Sequence, residues 1–148
     1  MAESLEQQRN QHLGRKLLKL ERHFTGQALT LMQQRGIEDI NLGHFSVLPF
    51  VDDKGVRATA IAQLSGISKQ AVGKTLDDLK MKGYLVALPD PNDKRASLIR
   101  LNDKGVSMMK LALQATREVE LNWCALIGDE SVEVFKALCG ELLMKLDS

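Results

Sequence analysis

The stretch ATAIAQLSGISKQAVGKTLDDLKMKG, residues 58–83, decides the fold. Ala58 to Ser65 reads as a short helix with Ile61 and Leu64 turned inward. Gly66 ends it, Ile67 fills the turn, and Ser68 suits the N-cap of a longer helix. That second helix is expected to run to about Lys82, and Val72, Leu76 and Leu79, spaced by four and three, form its buried stripe. Gly83 is placed to terminate it. Helix, tight glycine-containing turn, helix is the helix-turn-helix signature.

Downstream, Tyr84-Leu85-Val86-Ala87-Leu88 favours a strand, and Pro89-Asp90-Pro91-Asn92-Asp93-Lys94 reads as a turn. Arg95 to Leu101 returns as a second strand. Leu98 and Ile99 are adjacent, so the alternation does not say which of them faces the core. Asn102 can cap a helix reaching about Ile127, with Met108, Ala112, Ala115, Val119 and Leu126 on one side. Gly128 and Asp129 punctuate it, and a last helix from about Glu130 carries Val132, Phe135, Cys139, Leu142 and Leu146.

Upstream, residues 5–34 read as one long helix, because Leu13, Leu17, Leu20, Phe24, Ala28 and Leu31 keep one apolar stripe. Gly36 stops it. Asn41 suits the cap of a second helix containing Leu42, Phe45 and Leu48, which Pro49 shortens or kinks. Asp52-Asp53-Lys54-Gly55 is a loop. The expected fold is mainly α with a small β-hairpin wing: a winged helix-turn-helix at 54–105, flanked by dimerisation helices at 1–53 and 106–148 in one intertwined domain.

The 148 residues fit one domain, and 4% aromatic content beside frequent Leu, Ala, Lys and Gln favours helix. No apolar run is long enough for a transmembrane helix, and the polar start lacks the pattern of a secretory signal. Cys124 and Cys139 are far apart in apolar surroundings, so a reducing, cytoplasmic setting is expected. His12, His23 and His44 have no ligand spacing, and no metal or cofactor motif is present. No nucleophile–base or paired-carboxylate motif marks an enzyme.

The net charge of +1 conceals segregation. Residues 54–110 hold eleven bases and five acids, a net of +6, whereas 1–53 carry −1 and 111–148 carry −4. The positive charge is concentrated in the helix-turn-helix and hairpin, where phosphates would be met.

With Val72 at the centre of the buried face, Gln70 and Lys74 fall about 160° and 200° away, on the face a major groove would meet. Gln can bond bidentately to adenine, and Lys can bond guanine edges or phosphate. Ser68 and Lys69 lie at the helix N-terminus, where free N–H groups attract phosphate. Gly73 permits close approach there, and its helix-propensity cost of about 1 kcal/mol suggests a packing or contact reason. At the hairpin tip, Asp93 and Arg95 are two apart and point the same way, so Asp93 can orient the guanidinium for a narrow minor groove. Lys94 and Arg57 complete the candidate DNA contacts.

The segment from Ile61 to Val72, with Leu79-Lys80-Met81-Lys82-Gly83-Tyr84-Leu85, Asp90-Pro91-Asn92-Asp93-Lys94-Arg95 and Leu101-Asn102-Asp103-Lys104-Gly105, resembles the MarR family of winged-helix transcription regulators. The Asp-x-Arg wing followed by Leu-x-x-x-Gly is the more specific part. The resemblance implies a homodimer with interlocked terminal helices and two DNA-binding lobes. It matches Ser68, Gln70 and Lys74 to groove-facing positions, and Arg95, steadied by Asp93, to the minor-groove arginine. Asn102 stands where the family usually has Thr, and Pro49 is unusual in the second helix.

The expected function is a sequence-specific DNA-binding regulator, acting as a repressor on a pseudo-palindromic operator. The family resemblance implies a small aromatic or phenolic effector. Phe24, His44, Phe45 and Phe50 either line an inter-lobe cleft or pack in the core. The alternatives are a thiol-redox regulator using Cys124 or Cys139, although neither has a base nearby to activate it, and a winged-helix interaction module that does not bind DNA.

Overall fold

The glycines and caps of the central stretch act where the sequence places them. In the computed structural model, which describes residues 2–148, the helix-turn-helix comprises α4 (Ala58–Ser65) and α5 (Lys69–Met81). Gly66 closes α4 at φ 70°, a left-handed conformation that glycine adopts without strain. Ser68 Oγ accepts the Ala71 N–H at 3.2 Å, capping α5. Val72, Leu76 and Leu79 are buried as expected. Each such side chain contributes about 1.5–3 kcal/mol relative to exposure.

Leu64 corrects the reading of α4: it is 65% exposed. The buried arc is set by Ala58, Ile61, Ala62 and Ser65, and Leu64 lies about 110° from its centre.

The wing is an antiparallel pair, β1 (Leu85–Asp90) and β2 (Asp93–Leu101). The turn is shorter than the six residues expected, because Pro89 pairs with Ser97 before a register shift between Pro89 and Asp90. Proline's missing donor is tolerated on an outer strand, and β1 is one. The inner side of β2 also pairs, with Val56 exchanging both backbone hydrogen bonds with Ile99 at 2.9 and 2.8 Å. The wing is therefore stitched to the segment preceding α4. Ile99 faces the core and Leu98 is half-buried.

The N-terminal region is two helices rather than one: α1 (Leu5–Gln11) and α2 (Leu13–Gln34), separated by an extended His12 at ψ 127°. A Ser4–Gln7 capping box starts α1. Gly14 weakens helix propensity just past the break, and α1 buries no side chain that could keep the axis continuous. Asn41 caps a single turn, α3 (Leu42–Phe45), and Pro49 sits in a following 3₁₀ turn, Leu48–Phe50. The shortening expected from Pro49 is present.

Asn102 caps α6 (Asp103–Ile127), its side chain accepting the Gly105 N–H at 2.8 Å. The chain ends in α7 (Asp129–Leu146). Helix α2 packs along α6, and α7 packs on α6. Ala28 and Met32 of α2 are buried with Met108, Ala112, Ala115 and Val119 of α6. The outer parts of these stripes are uncovered: Leu13, Leu17, Leu126, Leu138 and Leu142 are exposed, and only Val132 of α7 is buried.

Candidate nucleic-acid interface

Burial of Val72, Leu76 and Leu79 turns the opposite face of α5 outward. Gln70 and Lys74 are exposed along it, and Ser68 and Lys69 are exposed at its N-terminal end. A Cβ on Gly73 would meet nothing within 4 Å, so no packing inside the chain requires this glycine. The reason for it lies outside the chain or does not exist. Asp77 is paired with Lys80 at 2.9 Å, which offsets its charge one turn beyond Lys74.

At the wing, Lys94 and Arg95 are exposed. Asp93 does not hold the Arg95 guanidinium as expected. Its Oδ1 accepts the Arg95 backbone N–H at 2.9 Å, making a local turn in which the carboxylate replaces a backbone acceptor. Asp93 thus shapes the tip and leaves the Arg95 side chain free.

Arg57 has a different place from the one its charge suggested. Its Nε and Nη2 lie 2.6 and 2.5 Å from Asp90 Oδ2. Asp90 is only 5% exposed, and its other oxygen accepts the Asn92 N–H at 2.9 Å. The Asn92 N–H and the Arg57 guanidinium hold this carboxyl below the usual carboxylate range. Arg57 therefore fastens the wing to the start of α4. Nothing in the sequence spacing announced this pair, which joins residues 33 positions apart.

A second tie was also invisible in the sequence. His44 is buried, its Nδ1 accepts the Asn41 N–H at 3.0 Å, and its Nε2 lies 2.6 Å from Asp78 Oδ2. Because Nδ1 is an acceptor, Nε2 carries the proton and donates to the carboxylate. Asp78 also receives Lys82 Nζ at 2.6 Å, and Lys82 followed by His44 keeps its carboxyl low. Tyr84 donates to Asp39 Oδ1 at 2.5 Å, and burial first, then Asp39, pushes its phenol up to about 12.

These internal ties sort the basic lobe. Arg57, Lys80 and Lys82 are in ion pairs, while Lys104 donates to the Lys82 carbonyl and lies over the Tyr84 ring. Lys54, Lys69, Lys74, Lys94, Arg95, Arg100 and Lys110 have no ion-pair partner among the described residues. Lys54 precedes α4, Arg100 is in β2 and Lys110 is in α6, whereas the other four lie on α5 and at the wing tip. Those four suit contact with a polyanion.

Phe24, Phe45 and Phe50 all pack against the core, and Phe24 also meets Trp123 edge-on at 5.3 Å. A cleft of about 380 Å³ between α2, α6 and α7 is lined by Leu20, His23, Trp123, Leu126, Ile127 and Phe135. Cys124 is half-buried, and desolvation, with Asp129 and Glu120 nearby, pushes its thiol pKa up. Cys139 is exposed rather than buried. The apolar pattern that suggested burial belongs to the uncovered face of α7.

Residues 38–96 match the MarR family model. No curated protein sequence matches the chain. Among solved structures, the transcriptional repressor CouR bound to a 23-mer DNA duplex is similar at TM-score 0.76 and 22% identity, over 96% of this chain and 99% of that one. A cysteine-to-serine variant of MarR from E. coli, complexed with operator DNA, gives TM-score 0.71 and 20% identity over 88% and 93%. PcaV from Streptomyces coelicolor, in complex with its natural ligand, gives 0.70 and 20% over 97% and 96%. At these identities the likeness is one of fold.

Proposed function

We infer that this chain, which matches the MarR family model over residues 38–96, is a transcriptional regulator of that family that binds DNA as a homodimer and represses transcription until a small-molecule effector lowers its affinity. Residues 54–105 form the DNA-binding lobe, and 1–53 with 106–148 form the dimerising stem. Helix α5 enters the major groove, where Gln70 and Lys74 meet base edges and Ser68 and Lys69 meet phosphate. Lys94 and Arg95 reach the adjacent minor groove. The observation that carries this reading is the set of exposed, unpaired cations on α5 and at the wing tip, Lys69, Lys74, Lys94 and Arg95.

The DNA in the CouR and MarR complexes supports the mode of binding, and the ligand in PcaV supports effector control. The uncovered apolar faces of α1, α2, α6 and α7 support dimerisation, because a second copy can bury them in an isologous contact. Two-fold symmetry then sets half-sites about 10 base pairs apart.

Fluorescence anisotropy against a duplex recovered by selection from a random library tests the DNA face. Lys74→Ala and Arg95→Ala should each weaken binding about tenfold. Lys69→Ala, which removes a phosphate contact, should lower the salt slope by about one unit. Unchanged affinity in Lys74→Ala and Arg95→Ala would mean the face is wrongly assigned.

A further inference from the structure

Helix α3 is a single turn, yet it touches both halves of the molecule. It packs against α2 in the stem and against α5 in the lobe. Among the described residues, His44 to Asp78 is the one side-chain hydrogen bond between α3 and α5. The histidine is 2% exposed, so its ring is held by packing as well as by its two polar partners. The hydrogen bonds run in one direction: Asn41 N–H to Nδ1, then Nε2–H to Asp78 Oδ2. The same Asp78 oxygen also receives Lys82 Nζ.

Asp78 lies one turn beyond Lys74 and about 40° around the axis. A rigid helix that moves at Asp78 therefore moves at Lys74. Groove recognition needs side chains held to a fraction of an ångström, and supporting hydrogen bonds supply that precision.

We propose that His44 is a positioning residue for DNA binding: by donating to Asp78 it fixes α5 against α3 and couples the stem to the groove-facing side chains. This rests on the DNA-binding reading above. His44 touches no DNA itself. Its two ring nitrogens have separate tasks, one capping α3 and the other orienting α5.

Two substitutions separate those tasks. His44→Asn places an acceptor at the bond distance of Nδ1 and so keeps the bond from Asn41, but it cannot reach Asp78. His44→Gln places an amide donor at the bond distance of Nε2 and can still donate to Asp78. Both variants and the wild type are titrated, as purified full chains, against the selected duplex, and their melting temperatures and masses in solution are measured.

The expected result is that His44→Asn binds about tenfold more weakly while His44→Gln stays within about threefold of wild type, with all three equally folded and of equal mass. In the Asn background, Asp78→Ala should add little further loss, because the two residues act through one bond. Wild-type affinity in His44→Asn overturns the inference and leaves the DNA-binding reading standing. So does a Gln variant as weak as the Asn variant, or a loss that appears only with a fall in melting temperature. Failure of the wild type to bind any duplex at low salt overturns both readings.

Discussion

Arg57 and Asp90 are joined at two points, with the guanidinium Nε and Nη2 2.6 and 2.5 Å from one carboxylate oxygen. The pair links the residue before α4 to the last residue of β1, and Asp90's other oxygen holds the turn through Asn92 N–H. The geometry of the wing relative to the helix-turn-helix therefore depends on one buried carboxylate. Asp90→Ala should weaken binding to the selected duplex about tenfold while the helical signal in circular dichroism is kept. Acid titration gives a second readout. Asp90's pKa is lowered by folding, so the unfolded chain takes up the proton first as the pH falls. The contribution is complete above the ordinary carboxyl value of 3.8 and is lost as the pH drops through the lower folded value. Asp90→Asn should flatten that part of the stability curve.

Gly105 has the tightest surroundings of any glycine in the chain. A Cβ there would lie 2.1 Å from the Tyr84 carbonyl oxygen and 3.0 Å from Leu101 Cδ2. The same carbonyl accepts the Asn102 N–H at 3.1 Å, and Asn102 Nδ2 donates to the Gly83 carbonyl at 2.7 Å. The start of α6 is thus seated directly on the chain leaving α5. Gly105→Ala must push these segments apart and should cost about 1–3 kcal/mol, read as a lower urea midpoint. A midpoint equal to wild type would mean that the two segments separate freely.

The residues that define the lobe locally were legible in the sequence. Gly66, Ser68, Gly83 and Asn102 act through neighbours three or four positions away, and local chemistry specifies such caps. The buried stripe of α5 was equally plain, because its period needs only one helix. What could not be read was the long-range pairing. Arg57 reads as a DNA contact because its charge is visible in the sequence and its neighbour Asp90, 33 positions away, is not. His44 looked like a core or cleft residue because Asp78 is 34 positions away. Asp93 and Arg95 were correctly brought together, but the bond runs to the backbone, which alternation along a strand cannot distinguish. Leu64 was misplaced because a period of three or four fixes a stripe's direction only to within tens of degrees.

Gly73 and Gly105 make opposite cases. Open space surrounds the Cβ position of Gly73, so alanine there meets no clash and gains helix propensity of up to about 1 kcal/mol. Gly73→Ala should therefore raise the melting temperature. If α5 lies close against the groove wall at this turn, the same methyl should weaken binding to the selected duplex several-fold. A variant both more stable and weaker in binding would place the glycine's role at the interface. A more stable variant of unchanged affinity would remove Gly73 from it.

The exposed leucines of α7 set the last test. Leu142 is 59% exposed, on the same stripe as the buried Val132, and no element of the chain covers it. A helix of 18 residues that buries one side chain gains little from its own chain, so its stability is expected to come from a partner. Leu142→Glu would place a charge in that contact, where desolvating it costs more than the fold of a single chain would show. Sedimentation should find the wild type at twice the chain mass and the variant shifted toward one chain mass at micromolar concentration. If each lobe contacts one half-site, as proposed, affinity for the two-half-site duplex should fall with the dimer. Leu64→Glu is the control: this leucine is as exposed but lies on α4, outside the stem, and its substitution should leave the mass unchanged. A variant mass equal to wild type for Leu142→Glu would assign the apolar face of α7 to some contact other than a second copy.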